Sequence, residues 1–162
     1  MPYKSGAAKH DLPTQLRIAE QICTQNGAQL TALRREVLEL ILKADAPLTA
    51  YQLLDQLKLT RKSAVPPTIY RSLEFLLENG LIHKIERLNA FVSCADADHQ
   101  HADAQFLICK RCGTVVELED HDISTALAKA VSTHNFTPCR AVVEIDGLCA
   151  KCASQTAPTP TL

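Results

Sequence analysis

Apolar residues in the first half of the chain recur at helical spacing, in four blocks separated by turn residues. The first block predicts a helix from about Thr14 to Gln25, closed by Asn26-Gly27. Thr31 is placed to cap a second helix reaching about Lys43. Leu33, Val37, Leu40 and Ile41 form its inward stripe, while Arg34, Arg35, Glu36 and Glu39 stay outside. Thr49-Ala50-Tyr51-Gln52 has the form of a capping box, so a short third helix starts there, burying Leu53, Leu54 and Leu57 and carrying Tyr51 in its first turn. Pro66-Pro67 open a fourth helix and Asn79-Gly80 close it. At 100° per residue, Ile69, Leu73, Leu76 and Leu77 share a face and Arg71 lies almost opposite, flanked by Thr68 and Glu74. Phe75 falls outside that stripe. Leu81 to Ile85 and Ala90 to Ser93 then read as two short strands around a polar turn at Arg87 and Asn89.

The second half has a different rhythm. Strands are predicted at about Phe106 to Cys109, Thr114 to Leu118 and Ala141 to Ile145, with a helix near Ile123 to His134. The expected fold class is α+β: an N-terminal winged helix-turn-helix domain over 1–93, then a small α/β domain over 94–162. Its tail is expected to be disordered from about Ala153. So short a domain with so few aromatics has difficulty burying its sheet alone, and pairing with a second copy is the remedy.

The chain has 162 residues and is 46% apolar, enough for a real core, and no apolar run approaches the length of a membrane span. Net charge is −1 but unevenly placed. Met1 to Ser93 carries 12 basic against 9 acidic side chains, and Cys94 to Leu162 carries 5 against 9. The basic half is suited to phosphates. Met1 to Pro13 lacks the apolar core of a secretory signal, so a cytoplasmic chain with reduced thiols is expected.

That expectation bears on the cysteines, six of which lie at or after Cys94. Cys109 and Cys112 form one C-x-x-C pair, and Cys149 and Cys152 another. Two intervening residues let the chain turn so that both thiolates face one ion, and two such pairs satisfy tetrahedral zinc. The rival reading, a pair of disulfides, suits an oxidising compartment. A second group of donors follows the last N-terminal strand: Cys94 with His99 and His101 in one loop, and His83 on the strand before. Alternate residues of an extended segment point the same way, so His99 and His101 can reach one ion together. Glu117 and His134 are further donors, whereas His10, His121 and His134 taken singly, and Cys23 and Cys139, read as ordinary surface or core residues.

Helices followed by a hairpin, with an outward Arg71 on the last helix, form the plan of a winged helix-turn-helix. In that plan the recognition helix enters the major groove and the N-terminus of the preceding helix crosses the backbone, where Tyr51 can donate to a phosphate. Arg61 and Lys62, with the polar Ser63, lie just before the helix, and with Arg34 and Arg35 on another the arginines and lysine add cations that could share one face. Enzymatic readings have little support: there is no H-E-x-x-H and no glutamate beside a ligand histidine to act as general base. Two C-x-x-C pairs flanking one sheet suit joint ligation better than thiol exchange.

The segments Leu30-Thr31-Ala32-Leu33-Arg34, Thr49-Ala50-Tyr51 and Pro67-Thr68-Ile69-Tyr70-Arg71-Ser72-Leu73, then Leu81-Ile82-His83-Lys84, the His99 and His101 loop and both C-x-x-C pairs resemble the ferric uptake regulator family, and within it the zinc-sensing branch. The resemblance covers nearly the whole chain. It implies a homodimeric, metal-responsive repressor that binds palindromic double-stranded operator DNA, with no membrane and no small organic substrate as partner. Tyr51 and Arg71 are implied to meet DNA, and Thr68, Tyr70, Arg34 and Lys62 join them as candidate contacts. The four paired cysteines are implied to hold structural zinc, and a regulatory site between the domains to hold another, about two Zn²⁺ per chain. Branches of the family complete the regulatory site, here His83 and Cys94, with both His99 and His101 or with one histidine and Glu117. Some relatives carry a third site with histidines where this chain has Asp98 and Gln100. The thiolate at Cys94 suits Zn²⁺, while the family's iron and peroxide sensors, the alternative reading, rely on nitrogen and oxygen donors.

Overall fold

In the computed structural model the described residues are 3–4, 11–94, 103–118, 120–138 and 141–155. They fall into two units, one of residues 7–102 and one of residues 1–6 with 103–162, so a short N-terminal segment belongs to the C-terminal unit.

In the first unit α1 (Leu12–Gln25) starts two residues before the predicted position, because Pro13 fits the first turn, where its missing N–H costs nothing. α2 spans Ala32–Lys43, with the Thr31 side chain accepting from the Arg34 N–H. α3 (Ala50–Thr60) begins with the full capping box: Thr49 accepts from the Gln52 N–H and the Gln52 side chain accepts from the Thr49 N–H. α4 (Pro66–Glu78) opens on its two prolines and closes at Asn79, with Gly80 at φ +67° supplying the left-handed residue that ends the helix.

Leu16, Ala19 and Cys23 of α1, Val37, Leu38 and Ile41 of α2, Leu53, Leu54 and Leu57 of α3, and Ile69, Leu73 and Leu76 of α4 make one apolar core. β3 (Ile82–Ile85) and β4 (Ala90–Ser93) form the hairpin, with Asn89 at φ +45° in its turn. β2 (Leu48–Thr49) was not legible beforehand; it pairs antiparallel with β4 through Leu48–Phe91 and Thr49–Ala90. Helix, strand, two helices and a two-stranded wing is the winged-helix order.

The second unit is a four-stranded sheet in the order β1-β6-β5-β7. β5 (Asp103–Cys109) runs antiparallel to β6 (Val115–Leu118) and parallel to β7 (Ala141–Gly147), while β1 (Tyr3–Lys4) adds to the far edge of β6. The parallel β5–β7 pair is joined by a crossover carrying α5 (His121–Ser132), capped by the Asp120 side chain. A five-residue α6 (Ala150–Ser154) ends the described chain. It carries helix two residues into the tail expected to be disordered from Ala153, and 156–162 lie outside the described residues.

Candidate metal centre and nucleic-acid surface

Parallel pairing of β5 with β7 sets Cys109 beside Gly147, so both C-x-x-C turns emerge at the same end of the sheet. Gly113, at φ +67°, gives the first turn the left-handed residue it needs to enter β6. The turns are stitched together by Lys110 N–H donating to the Gly147 carbonyl at 2.9 Å and Cys149 N–H donating to the Cys109 sulfur at 3.3 Å. The four sulfurs all lie within 4.8 Å of one another, and Cys112 Sγ stands 3.7 Å from Cys149 Sγ. A tetrahedron with metal–sulfur bonds of about 2.3 Å has an edge of roughly 3.8 Å, so the spacing fits zinc. It is far beyond a disulfide bond, and none of the four cysteines is in a disulfide.

Two of the four thiols are held toward the thiolate form. Backbone N–H groups of Cys112 and then Cys149 lower Cys109 to about 6 against the cost of burial, and the Thr114 hydroxyl and N–H lower Cys112. Burial, with the neighbouring Cys149, Cys112 and Cys109, pushes Cys152 up to about 12. Four thiolates in so small a volume repel one another, and a divalent cation is the kind of group that would let them share it.

His83 and Cys94 belong to the wing. His83 pairs with Val92 across the hairpin, and Cys94 N–H donates to the Leu81 carbonyl at 3.1 Å, so His83 and Cys94 are diagonal neighbours on one face of the ladder, and both are buried. Glu117 sits on β6 of the other unit, opposite Phe106, and is also buried. His99, His101, Asp98 and Gln100 lie outside the described residues, as do His10 and Cys139. His134 follows α5 and is exposed. Cys23 is a core thiol whose pKa burial raises, as suits an inert side chain.

On the winged-helix unit Tyr51 projects from the first turn of α3 with 70% of its surface exposed. Tyr70 and Arg71 lie on the outer face of α4, Thr68 is half-buried in its first turn, and Lys62 is exposed in the preceding loop. Arg71 forms no ion pair among the described residues. Arg34 is placed differently: its guanidinium lies 3.6 Å above the centre of the Phe75 ring and donates to the Gln29 carbonyl at 2.8 Å. Phe75, which falls outside the predicted stripe of α4, is buried with the core all the same, and the Arg34 guanidinium from α2 caps its ring.

A winged helix presenting an exposed Tyr51 and Arg71, and a second unit whose four cysteines could hold a metal ion, together define a class of proteins that join a DNA-binding fold to a candidate metal centre. The sequence matches the ferric uptake regulator family over residues 25–146, and the chain belongs to that family. It is 40% identical over 134 residues to the zinc uptake regulation protein of Escherichia coli K12, covering 83% of this chain and 78% of that one. The fold superposes with a TM-score of 0.80 on a zinc uptake regulator complexed with zinc and DNA, 38% identical, covering 91% of this chain and 98% of the other. A second structure, holo XcZur, gives 0.73 at 44% identity, covering 87% and 98%.

Proposed function

We propose that this chain is a cytoplasmic, zinc-responsive transcriptional repressor that binds palindromic operator DNA as a homodimer and controls zinc uptake genes. The four-cysteine geometry carries the metal half of the reading, and the likeness to a zinc uptake regulator complexed with zinc and DNA supports the DNA half. It is a regulator, not an enzyme, as befits its family.

Cys109, Cys112, Cys149 and Cys152 hold a structural zinc, which supplies a tetrahedral cross-link between the two turns. A regulatory set is drawn from His83, Cys94, His99, His101 and Glu117. A soft thiolate among imidazoles selects zinc over iron, and occupancy shifts the population toward the form that binds DNA. Tyr51 and Lys62 meet phosphates, and Arg71, with Thr68 and Tyr70 beside it, reads base edges. Arg34, committed to Phe75, supports the DNA face by fixing α4 against α2.

Dimer formation is supported by what the second unit leaves uncovered. β7 is an edge strand seven residues long, and Ile145 on it and Leu107 beside it on β5 are exposed. α5 has no buried residue, and its apolar Ile123, Leu127 and Val131 are only half-buried. No helix among the described residues is long and apolar enough to cross a membrane. The test is binding to promoter fragments with zinc, iron or chelator. Zinc-dependent binding is expected, and equal binding with chelator present would refute the reading.

A further inference from the structure

The four cysteines sit on unequal supports: three on the sheet or the turns beside it, and Cys152 on a short terminal helix. Cys109 ends β5, Cys112 is held by the Thr114 hydroxyl at 3.1 Å, and Cys149 by its N–H contact to Cys109 Sγ. Cys152 lies within α6, a helix of five residues, and a single turn has no stability of its own in water. Its position depends on ties from outside the helix.

One such tie comes from the opposite turn, where Arg111 Nη1 donates to the Cys152 carbonyl at 2.9 Å across 41 residues of sequence. We propose that Arg111 is a positioning residue for the four-cysteine centre, locking α6 against the first C-x-x-C turn so that Cys152 stays in ligating position, and thereby slowing loss of the metal. The proposal rests on the reading that these cysteines hold zinc. Two features favour arginine here. A helix C-terminus exposes carbonyls that a cation can satisfy, and four thiolates around one divalent ion carry a net charge of −2 that a guanidinium offsets. The neighbouring Lys110 provides a contrast: its ammonium stands 3.8 Å from Asp146 on β7 and makes no such bridge to α6 among the described residues.

The experiment measures transfer of zinc from the full-length dimer to a chromogenic chelator. Partners that orient metal ligands are worth 10–100-fold in metal affinity, so Arg111→Ala is expected to release zinc about tenfold faster than wild type. Arg111→Lys, which keeps a charged donor, is expected within about threefold of wild type, and Lys110→Ala is expected to leave the rate unchanged. Arg111→Gln, too short for the bridge and uncharged, carries the same expectation as Arg111→Ala and serves if the alanine variant does not fold. Release at the wild-type rate from Arg111→Ala or Arg111→Gln overturns the proposal, as does an Arg111→Lys no slower than Arg111→Ala or a Lys110→Ala equally fast. Wild-type protein that yields no tightly held zinc would overturn the metal reading itself, a result distinct from all of these.

Discussion

Single side chains bear on the stability of the winged-helix unit and, in the proposed function, on its specificity. Glu36 on α2 accepts from the Thr60 hydroxyl and from Arg61 at the end of α3, and these contacts, the first the larger, hold its carboxyl below the usual carboxylate range. A carboxylate with a depressed folded-state pKa contributes stability above its unfolded pKa of about 4.3 and loses it as pH falls through the folded value. Glu36→Gln is therefore expected to lower Tm at pH 7 by an amount reflecting about 0.5–1 kcal/mol, with the gap to wild type closing below about pH 4; melting curves across that range test it. The role proposed for Arg71 is of the opposite kind, in binding and not in folding. Arg71→Ala is expected to cost roughly 1–3 kcal/mol of operator affinity in a gel-shift titration at physiological salt while zinc content stays at the wild-type level. The outward placement of Arg71 was legible from helical periodicity, because a 13-residue helix with four aligned apolar residues has one possible inner face. The role of Arg34 was not, since a cation–π contact between α2 and α4 depends on how two helices pack, and their separate patterns are silent on that.

Elements were legible in proportion to their length and to the chemistry of their ends. The Thr49–Gln52 capping box was read from four residues because both of its hydrogen bonds are local. Thr49→Ala removes the acceptor for the Gln52 N–H and is expected to destabilise the unit by about 1 kcal/mol, a fall of roughly 4–8 °C in Tm. It should also weaken operator binding, because Tyr51 stands in the turn that the cap organises; unaltered binding would place the DNA contact elsewhere. β1 and β2, at two residues each, have no alternation to detect, and α6, at five, has no stripe; all three exist through partners distant in sequence. The four-cysteine centre was legible because its spacing encodes the turn geometry directly. That its two turns meet follows from β5–β7 pairing, which local patterns suggest but do not dictate.

At the scale of the whole molecule, the proposed function makes metal, dimer and DNA linked equilibria. Cys109→Ser removes one thiolate from a site whose binding energy is on the order of 10 kcal/mol, and is expected to give monomer or aggregate in sedimentation analysis. Ile145→Lys, on the exposed edge strand β7, is expected to shift the dimer toward monomer without loss of bound zinc; an unperturbed dimer would put the interface on another surface. Cys94→Ser is expected to keep the structural zinc and the dimer but to need far more Zn²⁺ for operator binding, since a hydroxyl replaces a soft anionic donor. The measurement that bears most directly on the regulatory reading is a zinc titration of the wild-type dimer with and without operator DNA. Reciprocity requires that a metal favouring the DNA-binding form be bound more tightly when operator is present, by the same factor that zinc adds to DNA affinity. The account predicts that shift for the zinc beyond the four-cysteine centre, and identical affinities in the two titrations would contradict it.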